Sequence, residues 1–199
     1  MVSVIVPYVE DRGYLTQCLE SIRAQTYPYE LIEIKSPRSV ACNFNRGLSF
    51  AKGEFIKVVG DDDWLPLDSL ENLVNGIGDA PWAVANATEV FGRTHEIYKP
   101  ISLEFAINVV HNKIHNGGTI YRTEVLREIG GMDETLWTAE EYEMHLRLMS
   151  LGYNPKYIDK EVYFYRRWQG QKSRQLREQD KKKRANEIAR IQSLYIDKV

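Results

Sequence analysis

Phe55-Ile56-Lys57-Val58-Val59-Gly60-Asp61-Asp62-Asp63-Trp64-Leu65-Pro66 sets a largely apolar run directly against three adjacent carboxylates. The run reads as a buried strand, and the triplet falls at its carboxyl end. Neighbouring carboxylates repel one another, so a fold keeps three together only where something cationic offsets the charge. Hard oxygen ligands in such a place suit Mg²⁺ or Mn²⁺, and a metal held by few protein groups usually also grips a substrate phosphate. A solvated acidic turn capping the next helix is the other reading.

Upstream, Val2 to Val6 is a β-branched run closed by Pro7, which predicts a buried strand. Leu15, Cys18, Leu19 and Ile22 fall at helical spacing between Gly13 and Gln25. Leu31 to Ile34 predicts a second strand and Val40 to Ala51 a second helix, stopped by Lys52-Gly53. Leu67 to Ile77 follows the triplet as a third helix. This alternation predicts parallel βαβ units, with functional loops at the carboxyl ends of the strands. No glycine-rich dinucleotide fingerprint follows the first strand, which argues against an ordinary NAD site.

The second half is less regular. Strands are expected over Trp82 to Phe91, Glu96 to Tyr98, Thr119 to Tyr121 and Tyr157 to Tyr165, with a loop near the site from His111 to Gly118. Helices are expected over Thr123 to Ile129 and Ala139 to Leu151, where Tyr142, Leu146 and Met149 share one face. A basic, amphipathic helix should run from about Ser173 to Tyr195, its stripe made by Leu176, Ile188, Ile191 and Leu194. Lys181-Lys182-Lys183-Arg184 should project from the opposite side. The economical division is one domain over 1–172 and a helical tail over 173–199.

The 199 residues suffice for one proper core, and 43% hydrophobic with 27% charged residues is ordinary for a soluble globular chain. Apolar runs are far too short for a transmembrane segment, and no basic segment precedes them as in a signal peptide. Cys18 and Cys42 lack metal-ligand spacing and read as reduced and structural, consistent with a cytoplasmic protein. The net charge of −2 hides an asymmetry: Arg166 to Arg190 holds ten Lys or Arg against three acids. A basic tail on an acidic body suggests a phosphate-bearing partner or a membrane surface, or simply a solvated helix face. No two of His95, His111 and His115 share a metal-ligand spacing.

Four segments in order resemble the family 2 glycosyltransferases of the GT-A fold, over about residues 2–173. Ser3-Val4-Ile5-Val6-Pro7 with Tyr14-Leu15, Cys18-Leu19, Ser21-Ile22 and Gln25-Thr26-Tyr27 is similar to the opening strand and helix. Asn45-Arg46-Gly47 and Ala51-Lys52-Gly53-Glu54-Phe55-Ile56 resemble the stretch before the metal site. Gly60-Asp61-Asp62-Asp63-Trp64 stands where the family has its Asp-x-Asp motif. Arg122, Val125-Leu126, Gly130-Gly131-Met132-Asp133-Glu134, Glu140-Glu141-Tyr142-Glu143 and Leu146-Arg147-Leu148 resemble the acceptor-side segment.

The resemblance implies a Rossmann-like α/β domain with a central, mostly parallel sheet, followed here by the basic helix. It implies an inverting enzyme that moves a sugar from a nucleoside-diphosphate-sugar donor to an acceptor hydroxyl. Mn²⁺ or Mg²⁺ would be held by Asp62, the match to the second motif aspartate, and by Asp63, with Asp61 on the donor. Asp61 and Asp63 are also placed to contact ribose, sugar or metal-bound water. Glu141 takes the general-base position with Glu140 beside it; favourable charge at a helix N-terminus is their alternative reading. Pro7, Tyr8, Glu10, Arg38 and Asn45 join the donor candidates, as does Asn43. His115, Gly117, Gly118 and Trp137 are candidates for acceptor binding. The acceptor class stays open among a glycan, a lipid-linked sugar, a protein and a modified nucleic acid.

The chain departs from the family at several points. Pro7-Tyr8-Val9-Glu10 replaces Pro-x-Tyr-Asn, Lys35-Ser36 replaces a base-binding Asp pair, and Gly60 replaces the first motif Asp. Glu141 stands for Asp, and Trp168 stands where a metal-binding His is common. Two rival readings are a nucleotidyltransferase-like enzyme, which would lack its usual glycine-rich basic loop, and a non-catalytic sugar- or nucleic-acid-binding module.

Overall fold

A computed structural model describes residues 1–100, 102–171 and 177–198. In chain order the elements are β1 (Val2–Tyr8), α1 (Leu15–Arg23), β2 (Tyr29–Lys35), α2 (Val40–Phe50), β3 (Phe55–Val58), α3 (Ser69–Ile77), β4 (Trp82–Phe91) and β5 (Thr94–Tyr98). There follow α4 (Phe105–His111), a 3₁₀ turn (Asn116–Gly118), β6 (Thr119–Arg122), α5 (Thr123–Glu128), α6 (Glu140–Ser150), β7 (Lys156–Arg166), α7 (Glu178–Tyr195) and a 3₁₀ turn at Ile196–Lys198. The first half keeps the expected alternation. β1 runs on through Pro7 to Tyr8, because Pro7 lies past the last β1–β3 pair, Ile5 with Val58, where its missing N–H interrupts no ladder on that side. α4 was not foreseen, and the loop expected from His111 begins on its last residue.

The seven-stranded sheet has the order β2-β1-β3-β6-β4-β5, with β7 also on β4. β1 pairs in parallel with β2 and β3, and β7 with β4. β6 is antiparallel to β3 and β4, and β5 to β4. β1, β2, β3, β4 and β7 therefore point one way and β5 and β6 the other, which makes the sheet mostly parallel. β7 occupies one edge of β4, so β5 and β6 lie end to end along the other.

Helices cover both faces, which is why β1 reads as a continuous apolar run rather than an alternating one. Val2, Val4 and Val6 pack with Cys18, Leu19 and Ile22 of α1 and Leu70, Leu73 and Ile77 of α3. Ile5, pointing the other way, packs with Phe44 and Leu48 of α2, Leu126 of α5 and Met144 and Leu148 of α6. A third cluster joins Val109 of α4, Tyr142 and Leu146 of α6 and Ile191 and Tyr195 of α7. The stripe of α7 thus differs from expectation. Leu194 is 53% exposed, and Tyr195 takes its place because it completes the Ile188, Ile191 spacing toward α6. Leu176 and the start of the expected tail helix lie outside the described residues. Among the described residues no helix is long and apolar enough to cross a membrane.

Beneath the α6 face, His145 is buried between aromatic neighbours, its ring 4.9 Å from that of Trp82. Its Nε2 meets the Tyr121 hydroxyl at 2.6 Å, while Nδ1 has no hydrogen-bond partner among the described residues. Burial holds its pKa down at about 3. The unfolded chain, near the ordinary value of about 6.5, then binds the extra proton as pH falls below that value, so this group's stabilisation is lost between about 6.5 and 3. From pH 7 to pH 5 the loss through His145 is about 2 kcal/mol. Urea unfolding of His145→Gln should show a pH 7-to-5 stability change differing from wild type by that amount. Equal changes would contradict the buried neutral imidazole.

Candidate active site

The β3 strand delivers the acidic triplet to the carboxyl edge of the sheet, and each carboxylate meets a different environment. Asp61 binds Arg12, with Nη2 at 2.8 and 3.1 Å from its two oxygens. Burial raises the Asp61 pKa, and the Arg12 guanidinium opposes that rise. Asp62 accepts from the Trp168 indole N–H at 2.8 Å through Oδ2, and its carbonyl accepts from Arg166 Nε at 2.8 Å. Asp63 is buried, with Oδ2 accepting from the Tyr163 hydroxyl at 2.7 Å and Oδ1 from the Arg166 N–H at 2.8 Å. Burial, and then the charge of Asp62, push its carboxyl up to about 8. The cations that offset the triplet are therefore, in part, the protein's own arginines.

Gly60 has a steric reason. A Cβ there would lie 2.7 Å from Asp63 Oδ2, an atom held in place by Tyr163. An aspartate in that position would displace the buried carboxylate.

Behind the triplet lies Lys57, fully buried in β3. Its ammonium donates to the Gly117 carbonyl and, at 3.1 Å, to the Thr119 carbonyl, and lies 4.8 Å from the Tyr163 ring centroid. Burial lowers its pKa to about 7, against the attraction of Asp63. Lys57 so ties the strand carrying the triplet to the turn carrying His115 and Gly117. Burial, with Lys57 and Arg167 nearby, holds His115 down at about 4, so the ring is neutral at neutral pH. Its Nδ1 accepts from the Gly117 N–H at 3.1 Å.

The same cleft is lined by the start of α6, which begins after Ala139 at φ 61. A non-glycine residue in the left-handed region is strained by about 1–2 kcal/mol, here directly before two glutamates. Glu141 Oε1 accepts from Asn116 Nδ2 at 3.3 Å, while Glu140 is buried.

Pro7, Asp61, Asp62, Asp63, His115, Gly117, Trp137, Glu140 and Glu141 all line a single cleft of 690 Å³. Tyr8, Glu10, Arg38, Asn45 and Gly118 do not. Asn45 instead fastens the loop before α6: its amide donates to the Met132 carbonyl and to Glu134, each at 2.9 Å. Asn43 is buried and donates to the Ser36 carbonyl at 3.1 Å, while Glu10 and Arg38 are exposed. Gly118 is a packing requirement, since a Cβ there would lie 2.3 Å from the Ala85 carbonyl oxygen. A Cβ on Gly117 would strike the Tyr163 ring at 2.3 Å.

Arg12, Lys57, Tyr163, Arg166 and Trp168 were not singled out from the sequence as site residues. Lys57 carried a signal, a lone cation inside an apolar strand. The others reach the triplet from separate segments of the chain.

A metal can be tested against this geometry. Among the described residues no three His, Cys, Asp or Glu side chains form a group able to hold an ion. Within the triplet, Asp62 Oδ1 is the one carboxylate oxygen without a hydrogen-bond donor among the described residues. The site therefore fits a divalent ion held by a single carboxylate contact, the rest of its shell coming from substrate oxygens and water.

No protein-family model matches this sequence, and no curated protein does. Solved structures do share the fold. TarS 1-349 of S. aureus in complex with UDP-GlcNAc is 18% identical, with a TM-score of 0.68 over 88% of this chain and 61% of that one. The same protein in complex with UDP is 18% identical at a TM-score of 0.66, covering 96% of this chain and 64% of that one. The mannosyltransferase PcManGT from Pyrobaculum calidifontis, in complex with GDP-Man and Mn²⁺, is 20% identical at 0.60, covering 82% of this chain and 56% of that one. This chain spans about three fifths of the length of these structures. The likeness is one of fold.

Proposed function

We propose that this protein is an inverting, nucleotide-sugar-dependent glycosyltransferase of the GT-A type, akin to family 2. One observation carries the reading: the strand-end carboxylates Asp61, Asp62 and Asp63 and the helix-start Glu141, far apart in sequence, line one cleft. The complexes of the fold neighbours with UDP-GlcNAc and with GDP-Man support it. The donor's diphosphate lies against the triplet, beside Arg12 and Pro7. A bound Mn²⁺ or Mg²⁺, held by Asp62, would supply positive charge to the departing diphosphate. Asp63 anchors the triplet, since both of its oxygens accept hydrogen bonds, from Tyr163 and Arg166.

Glu141 takes the proton of the acceptor hydroxyl. The hydroxyl oxygen bonds to the anomeric carbon as the bond from that carbon to the diphosphate oxygen breaks, which inverts the centre. Asn116 holds one oxygen of Glu141 and so fixes which lone pair meets the acceptor. His115, neutral and packed against Tyr98 and Tyr165, shapes the cleft without adding charge. The two free thiols suit a reducing, cytoplasmic setting.

Incubation with UDP-GlcNAc or GDP-Man and Mn²⁺ should release UDP or GDP slowly through transfer to water. Neither release nor binding with any UDP- or GDP-sugar would overturn the reading.

A further inference from the structure

The C-terminal helix is built into the cleft. Ile191 is fully buried and Tyr195 nearly so, and the Tyr195 hydroxyl donates to Glu143 Oε1 at 2.6 Å. Gln192 Nε2 donates to the Val110 carbonyl at 3.1 Å, and Lys183 Nζ lies 4.5 Å from the Trp137 ring centroid. These contacts fix the rotation of α7. Arg184 precedes Ile188 by four residues and Ile191 by seven, so it falls on the docked side and not opposite it as the sequence suggested. It lines the cleft together with Ile188, Trp137 and Glu141.

Arg184 is half-buried, and among the described residues it makes no ion pair or hydrogen bond. Arg12, the other arginine among the described residues lining the cleft, is already paired with Asp61. A guanidinium drawn partly out of water without an anion is poorly compensated. Its planar fork of five N–H donors matches the two oxygens of a phosphate or carboxylate. The donor's diphosphate is already assigned, in the proposed reaction, to the acidic triplet and Arg12.

We infer that α7 forms the acceptor's anchoring subsite, and that the acceptor carries an oxyanion gripped by Arg184 while its hydroxyl reaches Glu141. The ring of Trp137, with Lys183 Nζ 4.5 Å from its centroid, lines the same cleft and offers a stacking surface. The inference rests on the proposed transfer reaction, but its test does not require turnover.

Calorimetric titration with glucose, glucose 6-phosphate and glucuronate, without donor, compares one ring carrying no charge, a phosphate or a carboxylate. At least one charged sugar should bind about tenfold or more tightly than glucose. Whichever charged sugar wins identifies the oxyanion. Arg184→Gln should bring the charged sugar to the level of glucose, and Arg184→Lys should retain part of the preference. Gln at both exposed positions Lys181 and Lys182 should leave the preference in place. Charged sugars that bind no better than glucose would overturn the inference. So would a preference that survives Arg184→Gln, or one lost equally in the Lys181, Lys182 variant. Failure of nucleotide release with the charge preference intact would count against the transferase reading alone.

Discussion

Glu141→Gln should slow transfer by about 10²- to 10⁴-fold while leaving donor binding near wild type. The glutamine keeps the size of the side chain and an oxygen for Asn116, which donates to Glu141 at 3.3 Å. It cannot accept the acceptor's proton. The loss should therefore fall on kcat with acceptor present, not on calorimetric affinity for the nucleotide sugar. Glu140→Gln is the comparison, because Glu140 is 6% exposed while its neighbour accepts a hydrogen bond from Asn116. A dead Glu140→Gln beside an active Glu141→Gln would exchange the two roles. Two active variants would move the base elsewhere.

Asp62→Ala should weaken metal-dependent donor binding by about 10²-fold or more, the scale of losing a main stabiliser of phosphate charge. The domain should remain folded, since removing one of three adjacent carboxylates relieves repulsion at the strand end. The alanine also frees the Trp168 indole, which donates to Asp62 Oδ2 at 2.8 Å. Asp62→Asn separates the two effects. Its amide oxygen still accepts from Trp168, but the charge needed by the cation is gone. Both variants should lose binding in Mn²⁺, and wild type in EDTA should behave like them. Undiminished affinity in Asp62→Asn would remove the metal from the account.

The sequence was legible where local pattern and burial coincide. β1 and β3 are largely apolar runs, so both strands, and the triplet that follows the second, could be placed, although β1 continues through Pro7 to Tyr8. The mostly parallel sheet followed from the same alternation. α4 escaped because its seven residues, Phe105–His111, are too few to display a full amphipathic period. The antiparallel β6, inserted between β3 and β4, is a tertiary choice that no local pattern in Thr119–Arg122 reports.

Site residues divide along the same line. Asp61–Asp63 and Glu140–Glu141 stand adjacent in sequence and are seen together. Arg12, Arg166 and Trp168 reach the triplet only through folding, Arg166 and Trp168 from more than 100 residues away. Polar residues such as Asn45 looked like ligand contacts because an asparagine within a helix reads the same whether it binds a donor or fastens Met132. The α7 stripe was misjudged by one residue at Leu194, because a helix this polar gives a weak apolar signal until it is docked. Arg184 was misplaced separately: it stands four residues before Ile188 and seven before Ile191, on the same face as both, yet was grouped with its basic neighbours Lys181–Lys183.

The most direct measurement is a crystal structure of the protein soaked with Mn²⁺ and UDP-GlcNAc or GDP-Man, with a manganese anomalous map. The account predicts a manganese peak in contact with Asp62 Oδ1, the diphosphate bridging that ion and Arg12, and the sugar's anomeric carbon turned toward Glu141. A nucleotide sugar seated elsewhere, or one bound in the cleft with its diphosphate away from Asp61–Asp63, would contradict it.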